Sequence, residues 1–209
     1  GSPNFIGTID QFINRFIVGP DLNSGTSTSI HYVPSWDHLP NTVVHSGSAR
    51  DVQIGWFDYD DDSEATLNLK HASSNDRRRL NNISASQLDH LQQQAKARRQ
   101  QLLGRGYYSA EAVRQRASLL LRDPDSESRI IDTISNRFFE VIVDEVQDCS
   151  NEDLELLRVI KKANVNLVLV GDPDQAIYGF RHTKPADSSE VGKLVPKGKR
   201  LSGNFRSTP

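Results

Sequence analysis

The chain has 209 residues, 36% of them hydrophobic and 25% charged, an ordinary globular composition with room for one core, or one core and an inserted lobe. A formal net charge of −2 excludes a surface that is basic throughout, so any contact with nucleic acid must be local. One cysteine, Cys149, excludes an internal disulfide framework and a cysteine-based zinc cluster, and no apolar run reaches the roughly 18 to 20 residues of a membrane helix.

In chain order, Ile9, Phe12, Ile13, Phe16 and Ile17 recur at helical spacing, with Thr8 as N-cap and Gly19-Pro20 as the expected stop. Residues 21–50 are rich in Ser, Thr, Asn, Gly and Pro and read as a long irregular connection, mobile in part. Two strand-like segments flank an acidic turn between Asp51 and Lys70, which predicts a β-hairpin ending near Leu69. Helical patterns follow over about 85–103, 109–122 and 127–137, broken at Gly104-Arg105-Gly106 and at Asp123-Pro124. From Phe138 onward an apolar run, an amphipathic segment and a second apolar run predict strand, helix, strand. Strands that apolar belong to a parallel sheet covered on both faces. A shorter strand is expected at Lys199 to Ser202.

Ligands of parallel α/β sheets sit at the carboxyl ends of the strands, where Asp144-Glu145 and Gly171-Asp172 fall. Two acids directly after a buried strand call for a reason, because burying an unpaired charge costs several kcal/mol, of order 2 or more. Metal and proton chemistry supplies one. Asp144 is placed to hold Mg²⁺ directly or through its waters, and Glu145 to orient and deprotonate a water attacking a γ-phosphate. The alternative is that both acids merely begin a solvated loop, with Asp148 or Ser150 capping the next helix.

Taken together, "VIVDEVQD", "GDPDQAIYGFR" and "NFRSTP", in this order and spacing, resemble three successive motifs of the UvrD/Rep family of superfamily 1 helicases. The opening "GTIDQFINRF" resembles the segment that follows the first DNA-contacting motif of that family. The resemblance implies a P-loop NTPase fold of RecA type, α/β with a partial parallel sheet, carrying a mainly helical inserted subdomain. It implies ATP and Mg²⁺ as cofactors, and an ATP-dependent DNA helicase that moves 3′ to 5′ on single-stranded DNA and unwinds duplex. Asp144 would then be the metal ligand and Glu145 the activator of water. Gln175 would sense the γ-phosphate, its neutral amide switching partner when that oxygen leaves. Arg206 would be the arginine finger, and Phe205 would stack on the nucleotide base. Phe180 stands where the family stacks an aromatic on a base of single-stranded DNA, with core packing as the rival reading. Tyr178 reads as packing, and Arg181 as an ion-pair partner linking the two sites. Thr8 and Phe12 match the DNA-contacting opening motif, whereas Asp10 replaces its usual histidine, and an acid near phosphate is unfavourable. After "FR" the chain has His182-Thr183 where the family has Gly-Ala, so the geometry of that loop is open.

The resemblance divides the chain into 1–20 and 138–209, parts of motor domain 1A, and 21–137, the 1B insertion. On that insertion Arg77-Arg78-Arg79 and the stretch Lys96 to Arg99 would touch the DNA backbone, or else form solvated helix faces. No G-x-x-x-x-G-K-[ST] occurs, so the P-loop cradle for the β- and γ-phosphates is missing. There is no methionine, and the chain stops at Thr208-Pro209 within a motif. It is therefore expected to be a fragment of a longer protein, inactive alone, whose remaining 1A, 2A and 2B domains complete the motor. A cytoplasmic, nucleoid-associated place in a bacterium is expected, with no membrane partner. Two alternatives stand: a non-catalytic DNA-binding or regulatory homologue that lost its P-loop, and the motor subunit of a helicase-nuclease.

Overall fold

A computed structural model describes residues 4–24, 29–46, 49–171, 191, 193 and 194. It is mixed α/β, and it separates into two compact units, 1–120 and 121–209. The expected strand at Lys199 to Ser202 lies outside the described residues, as do Asp172, Gln175, Tyr178, Phe180, Arg181, Phe205 and Arg206. Among the described residues no helix is long and apolar enough to cross a membrane.

The first unit opens with α1 (Ile9–Phe12), capped as the sequence predicts: Thr8 Oγ1 accepts from Gln11 N–H, and Gln11 Oε1 accepts from Thr8 N–H. Gly19-Pro20 does not stop the helix. The chain widens into a π-helical stretch, Ile13–Val18, and resumes as α2 (Gly19–Asn23). Gly19 donates to Asn14 O, and a Cβ on Gly19 would stand 2.6 Å from that oxygen, so the wide turn needs glycine there. Pro20 falls at the first turn of α2, where a missing N–H costs nothing.

The stretch expected to be irregular contains β1 (His31–Val33) and β2 (Val43–Ser46). β2 pairs antiparallel with β3 (Ala49–Gln53). The expected hairpin is present as β4 (Phe57–Tyr59) and β5 (Ala65–Leu67), closed by a turn in which Asp60 Oδ1 accepts from Asp62 and Glu64 N–H. α3 (Ser74–Leu80) and α4 (Ala85–Gly104) follow, the latter begun by a Ser84/Gln87 capping box. After Gly106, at φ 82°, β6 (Tyr107–Ser109) runs parallel to β1, and α5 (Ala110–Arg122) succeeds it. α4 buries Leu91, Ala95, Arg99 and Leu102 along one stripe against Trp36, Val44, Val52, Ile54 and Phe57.

Arg99 is therefore a core residue, only 2% exposed, with its guanidinium 4.4 Å above the Tyr59 ring. Its Nη1 lies 3.4 Å from Ser63 Oγ, Nη2 bonds Gln115 Oε1, and Nη2 stands 3.8 Å from Glu111 Oε1. Lys96 pairs with Glu64, Arg77 Nε caps Ala72 O at 2.9 Å, and Arg79 pairs with Asp76 at 3.3 Å. The basic clusters suggested as DNA contacts thus hold the lobe together at four of these positions. Glu64 and Gln115 stand 32 and 16 residues from Lys96 and Arg99, which a reading of charge runs does not see, whereas Asp76 lies one turn from Arg79 within α3.

The second unit contains α6 (Pro124–Arg137), β7 (Glu140–Val143), α7 (Asn151–Lys162) and β8 (Asn166–Leu169). Asp123 caps α6 and Pro124 takes its first position, so the helix starts three residues earlier than its apolar pattern suggested. β7 and β8 pair in parallel from Glu140↔Asn166 to Val143↔Leu169. α7 starts on Ser150, whose N–H bonds the fully buried Asp153 carboxylate at 2.8 Å, and buries Leu154, Leu156, Leu157, Val159 and Ile160. The expectation of cover on both faces fails for the described residues: Phe139, Ile142 and Val170 are 90%, 62% and 43% exposed. The apolar pattern records what these strands can bury, and among the described residues α7 packs against β8 while α6 packs against α7.

Candidate active site

β7 ends on Val143, whose carbonyl accepts from Val170 N–H at 2.8 Å. The next ladder bond, Val146 N–H to Val170 O at 3.0 Å, skips Asp144 and Glu145. These two residues are therefore extruded from the sheet as a short bulge at its carboxyl edge, and both are exposed. The cost of buried charge does not bear on them, since water reaches both carboxylates. What marks the site is the backbone.

Glu145 adopts the left-handed conformation, φ 54° and ψ 42°, which costs a non-glycine residue on the order of 1–2 kcal/mol. Three contacts hold it there. Its N–H donates to Asp144 Oδ1 at 2.9 Å, its Oε2 accepts from Gln147 Nε2 at 2.5 Å, and its carbonyl accepts from Asp148 N–H at 2.9 Å. The turn Val146–Asp148 then leads to Ser150, which is the helix cap; Asp148 is not. Gly171 closes the site from β8. A Cβ there would lie 2.6 Å from Gln147 Oε1 and 2.7 Å from Val146 Cγ1, so a side chain at this exit would displace both the Gln147 and the Val146 side chains.

One oxygen of Asp144 is spent on Glu145 N–H, which leaves Oδ2 as a hard donor beside the second carboxylate. This donor set fits Mg²⁺ in nucleotide sites, where one or two carboxylates suffice and water and phosphate oxygens complete the shell. The structure sets Gly171 against Val146 and Gln147, directly after the exit that carries Asp144 and Glu145. Sequence reasoning missed Gln147 as the partner of Glu145, although it stands inside the motif two residues on. The other residues named for the nucleotide, Gln175, Phe205 and Arg206, and Phe180 for DNA, lie outside the described residues.

In the first unit Thr8 is exposed and occupied as the helix cap. Phe12 is 8% exposed, its ring 5.9 Å from Phe5 and 5.0 Å from Phe16, so the ring serves an aromatic cluster. Asp10 accepts from Arg114 Nε at 2.6 Å.

The UvrD/REP helicase N-terminal domain family matches residues 45–195, well over half of the chain. The chain belongs to the UvrD/REP helicase family. Its relatives in this helicase family include the ATP-dependent DNA helicase Rep of Buchnera aphidicola, 39% identical over 69 residues, which cover 32% of this chain and 10% of the relative. An ATP-dependent helicase/nuclease subunit of Staphylococcus saprophyticus is 32% identical over 142 residues, covering 61% of this chain and 11% of the relative. The putative ATP-dependent DNA helicase YjcD of Bacillus subtilis is 32% identical over 92 residues, covering 43% and 12%. The chain thus spans about a tenth of the length of such relatives. No solved structure matches it.

Proposed function

We propose that the protein to which this chain belongs is an ATP-dependent DNA helicase, coupling ATP hydrolysis to movement along single-stranded DNA and to unwinding of duplex. The observation that carries the reading is the strained two-carboxylate bulge at the carboxyl edge of the β7–β8 pair, in a chain of this family. Backbone strain held by several contacts supports a functional role for the position. In this reading 1–20 and 138–209 are parts of a RecA-like motor domain 1A and 21–137 is its 1B insertion.

Asp144 would hold Mg²⁺, which neutralises the charge of the β- and γ-phosphates when bound. Glu145, its carboxylate steered by Gln147, accepts the proton of the attacking water. Gln175 reports the γ-phosphate, Arg206 steadies its developing charge from across a closing cleft, and Phe205 stacks on the base. On the DNA side Phe180 stacks on a base, and Thr8 and Phe12 belong to a second contact. For Phe12 this means supporting the turn from the aromatic cluster, since its ring is buried.

The helicase-nuclease motor is a second reading, favoured by the name of the Staphylococcus relative. It shares every residue role above. The test is strand displacement by the full-length protein on a duplex with a 3′ single-stranded tail. ATP-dependent displacement is expected, and none on a 5′ tail. ATP-independent binding with no displacement on either substrate would sink the proposal and favour the regulatory homologue.

A further inference from the structure

Two ion pairs join the opening helical run to α5. Asp10 accepts from Arg114 Nε at 2.6 Å, and Asp21 Oδ2 accepts from Arg116 Nε and Nη2 at 2.9 and 2.7 Å. Helical spacing places Arg114 and Arg116 on either side of the buried stripe Val113, Ala117 and Leu120. One of the two pairs lies in the turn that carries Thr8. The Asp10 side chain keeps 48% of its exposure there, and Gly7 and Thr8 beside it are exposed as well. A carboxylate so placed repels a phosphate backbone unless a cation stands against it. Arg114 is that cation, brought from 104 residues away in sequence.

We propose that Arg114 is a charge-masking residue: by neutralising Asp10 it lets an acidic first turn lie against the phosphate backbone of single-stranded DNA. The inference rests on the reading of Thr8 as part of a DNA contact. It assigns Arg114 no phosphate of its own. Arg114 acts through Asp10, and the sign of its effect depends on that carboxylate. A pair that merely braced the fold would behave differently, because then losing either partner would do harm.

The experiment measures binding of the full-length protein to a fluorescent oligothymidylate by anisotropy. Arg114→Ala should weaken binding about fivefold at low salt, and the deficit should shrink as salt screens the bare carboxylate. Asp10→Asn alone should bind at least as tightly as wild type, and Asp10→Asn in the Arg114→Ala background should restore wild-type binding. Weaker binding by Asp10→Asn, or a double variant as weak as Arg114→Ala, overturns the proposal in favour of a brace or a direct phosphate contact. Thr8→Val separates this idea from its premise. If Thr8→Val leaves binding unchanged, the DNA reading of the opening turn fails and the masking role with it. If Thr8→Val weakens binding while Arg114→Ala does not, the masking role alone is wrong.

Discussion

Glu145→Gln in the full-length protein is expected to lower ATP turnover by about 10²–10⁴-fold, the range that a positioned general base contributes. ATP affinity should change little. The substitution is conservative in every respect but one. Glutamine has the length of glutamate, its amide oxygen still accepts from Gln147 Nε2, and the main-chain bonds of the bulge through Glu145 N–H and C=O do not involve the side chain. Only the capacity to take a proton from water is lost. Steady-state phosphate release, measured beside equilibrium ATP binding, separates the two. Turnover that survives would remove Glu145 as the base and return the carboxylates to the solvated-loop reading.

Arg99→Ala is expected to destabilise the first unit by about 1–3 kcal/mol, because it removes a buried side chain and leaves Gln115 Oε1 without its partner; Glu111 keeps 49% of its side-chain exposure, so the ion pair adds little to that loss. The guanidinium is 2% exposed and joins Tyr59, Ser63, Gln115 and Glu111, which come from the hairpin and from α5. The loss has a pH signature. Burial raises the Glu111 carboxyl above its usual range while Arg99 opposes that shift, so removing Arg99 raises it further. A carboxyl whose folded pKa is raised favours folding least above that pKa. The deficit of Arg99→Ala should therefore shrink as pH falls through the Glu111 range, where wild type loses the ion pair too. The Tyr59 hydroxyl, pushed up mainly by burial and secondarily by Glu111, stays protonated throughout. Urea denaturation of the chain, followed by the fluorescence of Trp36 and Trp56 in this lobe, reads both effects.

Local rules written into single residues were legible in the sequence. Thr8 and Ser150 cap helices because each hydroxyl reaches an N–H three residues on, and the parallel β7–β8 pair follows from two apolar runs flanking an amphipathic one. What was not legible depends on geometry between distant residues. Gly19-Pro20 looked like a stop, but a π-turn accommodates both. The arginines of α3 and α4 read as solvated helix faces or as contacts for the DNA backbone, yet Arg99 lies on the same stripe as Leu91, Ala95 and Leu102, and nothing in its residue type says so. At the candidate site, the identity of Asp144 and Glu145 was readable. The left-handed backbone of Glu145 was not, since that conformation is signalled by glycine or asparagine and here is imposed by the ladder bonds of Val143, Val146 and Val170.

The most direct measurement is ATP turnover by the full-length protein with Mg²⁺, with and without single-stranded DNA. A motor built around Asp144 and Glu145 turns over ATP many times faster when DNA is present, and Asp144→Asn abolishes that stimulated rate. Turnover absent under both conditions, or unchanged by Asp144→Asn, would contradict the account.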